Sequence, residues 1–296
     1  MELNKIWNES NEITMREHID PHSVDVIITS PPYNNSRDNK DRTNMIDGHC
    51  KSANIGQYKD QNGNYIGIGG YHKKYDVYED YKTTQEYCDW IVSIFNQFDT
   101  ILKENGTVLW NTSYQAEDND GACWLVLGDV LRKTNFTIVD HMIWKKKCAI
   151  PVSQKNKLSH LCEDVFIFAR KNEFTSFNMN KVYSSTSRTG QKFYKPVMNL
   201  VEADNNDEIC PYNKATFSTE FVRKMLSYYV CKDERGGLVY DPFMGSGTTA
   251  LACQQMGINF IGSELSENQV DWANNRLRFG KGYSSSDVLM NDRALF

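Results

Sequence analysis

The stretch Asp241-Pro242-Phe243-Met244-Gly245-Ser246-Gly247-Thr248-Thr249 follows Gly237-Leu238-Val239-Tyr240 and runs into Ala250-Leu251-Ala252. An apolar run, a turn with two glycines and an apolar continuation read as strand, Gly-rich turn and helix. Gly245 and Gly247 permit a tight turn and a close approach of backbone to ligand, which is how a nucleotide-type cofactor is cradled. Downstream, Ile258-Asn259-Phe260-Ile261-Gly262 reads as a second strand ending in Ser263-Glu264. A carboxylate there, roughly 20 residues past the turn, is placed to bind ribose hydroxyls, and Glu264 fits that role. Gly245-x-Gly247-x-x-Ala250 also satisfies the loose dinucleotide fingerprint, so spacing leaves the kind of nucleoside cofactor open. A Walker-type phosphate loop is excluded, because no Gly-Lys-Thr follows.

Near the other end, the apolar run Val24-Asp25-Val26-Ile27-Ile28 leads into Thr29-Ser30-Pro31-Pro32-Tyr33-Asn34. Such a run forms a buried parallel strand, so these residues sit at a strand's C-terminal edge, where open α/β sheets bind ligands. Two consecutive prolines restrict the backbone there. Alone, the motif would read as a plain strand-ending turn.

Between the two motifs, periodicity predicts a helix over 84–102, a strand over 107–111, a helix over 122–133 and strands over 136–144 and 163–169. A helix over 218–231 follows, and another over 266–279 closes the pattern. Alternating strands and helices imply an α/β, mostly parallel sheet with helices on both faces. Residues 34–78 are rich in Asn, Gly, Lys and Asp with few aliphatic positions, and read as a mobile loop near the site. From 171 to 207 Ser, Thr, Asn and Lys dominate, which marks a small insertion.

The chain has 296 residues, 40% of them hydrophobic, and a net charge of −5. No apolar run approaches the roughly 20 residues of a membrane span, and no signal-peptide pattern opens the chain. A soluble, cytoplasmic protein without a membrane partner is expected. The eight cysteines include no Cys-x-x-Cys pair. They read as reduced core thiols rather than as a zinc site built from His141, Cys148, His160 and Cys162, so no metal is expected. The negative net charge argues against nucleic acid, but it is unevenly spread. From His141 to Leu200 there are eleven Lys or Arg against three Asp or Glu, so this stretch carries +8 and the rest −13. Trp144, Phe166, Phe174, Phe177, Tyr183, Phe193 and Tyr194 are interleaved with these cationic residues, as phosphate contact plus base stacking would need. A solvated basic face around core aromatics is the alternative.

At Ser30-Pro31-Pro32-Tyr33 and Asp241-Pro242-Phe243-x-Gly245-Ser246-Gly247 the chain resembles the S-adenosylmethionine-dependent DNA amino-methyltransferases, and the resemblance covers most of its length. The order, catalytic motif early and cofactor motif late, looks like the permuted beta class. The resemblance implies a Rossmann-like, seven-stranded sheet and double-stranded DNA as substrate. It also implies a homodimer and a cognate restriction endonuclease as partners, neither marked by any residue. Residues 1–170 would be the catalytic half, 171–207 the target-recognition region and 208–296 the cofactor-binding half.

Carried onto this chain, the catalytic set is Ser30, Pro31, Pro32 and Tyr33. The side chain of Ser30 and the main-chain carbonyl of Pro31 would accept protons of an exocyclic amine, and Tyr33 would stack on the flipped-out base. The cofactor set is Asp241, Pro242, Phe243, Gly245, Ser246, Gly247, Thr248 and Glu264, with Thr216 and Phe217 from the segment before the 218–231 helix. Asp241 would meet the cationic amino end of S-adenosylmethionine, and Phe243 would line its pocket. Two positions depart from the family: Asn213-Lys214 replaces a usual His-Pro pair, and Ser10 stands where an Asp usually contacts the adenine. Ser at the first catalytic position is more usual for cytosine N4 than for adenine N6, so cytosine is expected and adenine stays open. Methylation of RNA or of a protein glutamine, and a non-catalytic DNA-binding subunit, are remoter readings.

Overall fold

The computed structural model describes residues 1–34, 57–59, 65–67, 77–78, 82–113, 122–148, 158–207, 210, 212–213, 216–230 and 236–280. Most of the 34–78 segment, expected to be a loop, therefore lies outside the described residues. So do Cys50 and Cys231.

The strands are β1 (Lys5–Trp7), β2 (Val24–Thr29), β3 (Gln57–Lys59), β4 (Tyr65–Gly67), β5 (Leu102–Thr112), β6 (Phe136–Lys146), β7 (Cys162–Arg170), β8 (Val182–Thr186), β9 (Lys192–Lys195), β10 (Leu200–Ala203), β11 (Leu238–Asp241) and β12 (Asn259–Ser263). The described helices are α1 (Asn11–Glu17), α2 (Thr84–Ile101), α3 (Ala122–Lys133), α4 (Thr219–Tyr229), α5 (Thr248–Met256) and α6 (Glu267–Phe279). One eight-stranded sheet runs β1-β12-β11-β2-β5-β7-β6-β10. Five of its pairings are parallel, and β7 runs antiparallel to both β5 and β6. The sheet is thus mostly parallel, as expected, with one strand more than the seven anticipated. Its edge strand β10 comes from the 171–207 segment, whose other strands β8 and β9 pair only with each other.

Each sheet face carries its own core. On one, Phe221, Met225 and Leu226 of α4, Ala252 and Cys253 of α5 and Val270 of α6 pack on Val26, Ile28 and Val239. On the other, Met15 of α1, Ile91, Phe95 and Phe98 of α2 and Val126 of α3 pack on Ile27, Val108 and Tyr240. Successive strand residues point to opposite faces, which is why the nearly unbroken apolar runs in β2 and β11 serve both cores. Helix α2 starts at a capping box, with Thr83 and Glu86 each bonding the other's main chain. It ends at Ile101, and Leu102 passes directly into extended backbone. Glu104-Asn105-Gly106, which reads in the sequence as a stop between that helix and the next strand, lies inside β5. There Asn105 takes a positive φ of 59°, and a side chain on Gly106 would sit 2.7 Å from Leu102 and 3.0 Å from the Asp25 carbonyl.

The decisive feature is in the centre. Strands β2 and β11, more than 200 residues apart in sequence, are parallel neighbours with Val26 opposite Val239 and Ile27 opposite Tyr240. Parallel pairing in register puts their C-terminal ends, and the two motifs that follow, side by side.

Candidate active site

At the shared C-terminal edge of β2, β11 and β12 lies a cavity of about 240 Å³. Ser30, Pro31, Pro32 and Tyr33 line it from the end of β2, Pro242, Phe243 and Gly245 from the turn after β11, and Glu264 from the end of β12. The structure therefore joins the whole early motif to three residues of the late motif and to the expected acid.

Local bonds fix each of these groups. Ser30 Oγ lies 2.7 Å from the Tyr33 hydroxyl, and the Cys123 thiol donates to the Tyr33 carbonyl at 3.1 Å. Asn34, at φ 55°, donates its amide to the Lys82 carbonyl at 2.7 Å and accepts from the Lys82 N–H at 2.8 Å. These bonds join Asn34, next to the lining residue Tyr33, to Lys82, which itself lines the cavity. Glu264 accepts from the main-chain N–H of Gly245 at 2.9 Å with one oxygen and of Ser266 at 2.9 Å with the other. This ties the Gly-rich turn to the second strand of the unit.

Other members of the predicted set lie behind the cavity wall. Asp241 is 1% exposed. One of its oxygens accepts from Thr29 at 2.7 Å and the Phe243 N–H at 3.1 Å, the other from Thr249 at 2.6 Å. Asp241, expected to meet a cofactor's amino end, does not line the cavity and fastens β2 and the start of α5 to β11. Ser246 and Thr248 also face inward. The buried Arg276 guanidinium donates to the Ser246 carbonyl at 2.9 Å and the Thr248 hydroxyl at 3.0 Å, and reaches Asp207 at 3.0 Å. At Gly247, with φ 80°, an added Cβ would lie 2.5 Å from Ala273 Cβ, so this glycine lets α6 pack against the turn. Phe217 is buried 5.8 Å from the Phe221 ring, and neither it nor Thr216 lines the cavity. Asn213, from the position where the chain departs from the family, lines it instead.

Burial pushes the Asp241 carboxyl up from its ordinary 3.8 to about 6, against the hydrogen bonds from Thr249, Thr29 and Phe243 that favour its charged form. An acid whose pKa is raised by folding favours the folded chain while protonated. That contribution is complete below pH 3.8 and is lost as pH rises to about 6. The unfolding free energy of the wild type is therefore expected to fall relative to Asp241→Asn across this window, as measured by denaturant titration at stepped pH. A difference that stays constant through the window contradicts the assignment.

Several lining residues carried no sequence signal of their own. Trp90 reads as part of the α2 apolar stripe, yet its ring meets Phe243 edge-on at 5.6 Å and Tyr78 at 5.8 Å. The Lys82 ammonium sits 4.9 Å from the Tyr78 ring and 5.2 Å from that of Trp90. Asn11 and Gln269 also line the cavity, as does Ser10, the residue read in the sequence as standing where the family usually has an Asp. Ser10 caps α1 by accepting from Ile13, and Asn11 donates to the Pro242 carbonyl at 3.3 Å. The Oε1 of Gln269, a residue 3% exposed, has no hydrogen-bond partner among the described residues.

The model of the DNA methylase family, N6/N4 methyltransferase type, matches residues 24–275. The chain belongs to the DNA methylase family. The methylase is 25% identical over 225 residues to the type II methyltransferase M.Cfr9I of Citrobacter freundii, covering 65% of this chain and 72% of that one. It is 25% identical over 258 residues to the type II methyltransferase M2.MboI of Moraxella bovis, covering 86% and 81%. Its fold is similar to that of the PvuII DNA methyltransferase (cytosine-N4-specific), with a TM-score of 0.62 at 15% identity over 97% of this chain and 90% of that one. It is also similar to M1.HpyAVI in a complex with SAM, at a TM-score of 0.52, 18% identity and coverage of 93% and 99%. This methylase is thus an enzyme of the N4/N6 amino-methyltransferase family, acting on DNA. No helix among its described residues is long and apolar enough to cross a membrane.

Away from the cavity, the basic stretch divides. Lys145 pairs with Glu202, Lys146 with Glu163, and Lys147 with Asp204 and Glu220. Trp144 is buried, stacked on Phe221. By contrast, Lys181, Arg188, Lys192 and Lys195 of the β8–β9 hairpin have no acidic partner among the described residues. Beside them Tyr183, Phe193 and Tyr194 are about half exposed. His141 bonds Asp164 at 2.8 Å and stacks on Phe166, and the described residues gather no cluster of metal ligands.

Proposed function

We propose that the cavity binds S-adenosylmethionine and that its methyl group goes to the exocyclic amine of a base flipped out of duplex DNA, cytosine N4 in the first place. One observation carries this reading: Ser30 and Pro31 face the same cavity as Gly245 and Glu264. Acceptors for an amine and a nucleoside cradle then share one chamber.

The residues present fit this cofactor better than the dinucleotide that spacing left open. A dinucleotide brings a pyrophosphate, whereas among the described lining residues the acids Glu9, Glu12 and Glu264 stand against the single base Lys82. That balance suits a ligand bearing cationic sulfonium and ammonium groups and no phosphate. The unpartnered Gln269 Oε1 offers a further acceptor beside Gly245, 3.5 Å from where a Cβ on that glycine would lie. Glu264 would hold the ribose, and Phe243 and Pro242 would bound the pocket. When bound, the cofactor supplies a methyl group on a positively charged sulfur.

The chain's own residues do the rest. An exocyclic amine is a poor nucleophile because its lone pair is delocalised into the ring. Ser30 Oγ and the Pro31 carbonyl accept hydrogen bonds from its N–H groups and draw the nitrogen toward tetrahedral geometry, so that it can take the methyl group and release one N–H proton to solvent. The two prolines hold these acceptors at fixed angles, so little reorganisation is needed as charge develops. Tyr33 is 6% exposed and lines the cavity beside Ser30. Asp241, Ser246, Gly247 and Thr248 keep the turn in place from behind, and the neighbouring Thr216 and Phe217 are proposed with them on the cofactor side.

In this reading residues 1–170 form the catalytic half, 208–296 the cofactor half and 171–207 the target-recognition region. The β8–β9 hairpin supports the last, since its cations without acidic partners and its half-exposed aromatic rings suit phosphate contact and base stacking. The choice of cytosine rests on Ser30 and on the likeness to an enzyme named cytosine-N4-specific. Homodimerisation and a cognate restriction endonuclease rest on the likeness to type II methyltransferases alone.

Substrate and cofactor are tested separately. Offered labelled S-adenosylmethionine with duplex DNA, RNA and protein in competition, the enzyme is expected to label the DNA; label in RNA or protein overturns the substrate. Glu264→Gln places an amide where two main-chain N–H groups need a carboxylate, and cofactor affinity should fall about tenfold or more by calorimetry. An unchanged affinity removes Glu264 from the cofactor site.

A further inference from the structure

Behind Ser30 runs a chain of hydrogen bonds that continues into the sheet. Ser30 Oγ lies 2.7 Å from the Tyr33 hydroxyl, and geometry alone allows either oxygen to donate. The Tyr33 hydroxyl also lies 3.4 Å from Asn111 Oδ1 at the end of β5. The Asn111 amide nitrogen donates to the Asp164 carbonyl of the neighbouring strand at 3.2 Å. Asn111 is 2% exposed, so its amide has little freedom to turn.

We infer that Asn111 is a positioning residue that sets the direction of the Ser30–Tyr33 hydrogen bond and so fixes Ser30 as an acceptor toward the substrate amine. A main-chain carbonyl can only accept, so the Asp164 carbonyl holds the NH2 end of the Asn111 amide toward itself and the oxygen end toward Tyr33. That oxygen also can only accept. Tyr33 has one hydroxyl proton, and donating it to Ser30 would leave two bare oxygens facing each other in a buried place, at a cost of the order of a lost hydrogen bond. Tyr33 therefore donates to Asn111 and accepts from Ser30. With its proton turned inward, Ser30 Oγ presents lone pairs to the cavity, which is the state that drawing protons from an amine requires. Without Asn111 the Tyr33 proton loses the acceptor that holds it away from Ser30; turned to Ser30, it would direct the serine's own proton at the amine and oppose it.

This inference rests on the proposed methyl transfer for its consequence but not for its geometry, so the two are tested apart. Neutron diffraction on the deuterated full chain is expected to place the Ser30 hydroxyl deuterium toward Tyr33 and the Tyr33 deuterium toward Asn111. A Tyr33 deuterium directed at Ser30 overturns the inference whatever the enzyme methylates. In kinetics, Asn111→Leu is expected to lower kcat about tenfold with the cofactor Kd unchanged. In a Tyr33→Phe background, where no phenol remains to be oriented, the same substitution should cost less than about twofold. Equal losses in both backgrounds would mean a merely structural role and overturn the inference. So would full activity of Asn111→Leu. A wild-type chain that transfers no methyl group removes the proposed function instead and leaves the neutron result to decide the hydrogen-bond direction.

Discussion

Replacing Ser30 with Ala should lower kcat for methyl transfer by about 100-fold or more while leaving the cofactor Kd within about twofold. The side chain lines the cavity and bonds to Tyr33, and the cofactor cradle is built from other strands. Removing one preorganised hydrogen-bond partner from a site where charge develops typically costs two to three orders of magnitude in rate, roughly 3–4 kcal/mol in the barrier. Ground-state cofactor binding does not use that partner. The variant loses only one oxygen, so the backbone set by Pro31 and Pro32 stays in place. Steady-state kinetics with DNA, paired with calorimetry of cofactor binding, separates the two quantities. Unchanged turnover removes Ser30 from the mechanism, and equal losses in both quantities point to a collapsed site.

The second large effect concerns the turn. Gly247→Ala should destabilise the fold by about 3 kcal/mol and lower Tm by roughly 5–10 °C, with loss of cofactor binding. Two penalties combine there. The residue sits at φ 80°, where an L side chain is strained, and its Cβ would lie 2.5 Å from the Cβ and 3.0 Å from the Cα of Ala273. Relief requires α6 to move, and α6 carries Arg276 and Gln269. Gly257 is the control. It has a similar φ of 65°, and a Cβ added there would meet nothing within 4 Å, so Gly257→Ala should cost only about 1–2 kcal/mol. Scanning calorimetry of both variants checks the contrast, and equal shifts would show that backbone strain rather than the α6 contact governs the turn.

The central geometry was legible because it follows from rules that act on short segments. The runs before Ser30 and Asp241 are apolar over a strand's length, and each ends in a turn that prolines or glycines enforce, so two strand ends at one sheet edge could be read directly. Glu264 was legible for the same reason. What a motif does not reveal is which side each of its residues faces. Asp241, Ser246 and Thr248 belong to the cofactor motif by spelling, yet they turn toward Thr29 and Arg276, partners whose proximity only the folded chain creates. Thr216 and Phe217 do not line the cavity, whereas Asn213 does. Trp90, Gln269 and Asn111 come to the site from a helix stripe, a polar helix and a strand end, and their sequence neighbourhoods look like ordinary structure. The strands β8, β9 and β10 span only four or five residues each, too short a run for a strand period to stand out in the sequence.

Methyl transfer itself is put to the test by incubating the purified protein with unmethylated DNA and labelled S-adenosylmethionine, digesting the DNA to nucleosides and identifying the methylated one by mass spectrometry. N4-methylcytosine is the expected product. N6-methyladenine would keep the amine chemistry and overturn the base assigned from Ser30, and a digest with no labelled nucleoside would contradict methyl transfer to DNA altogether.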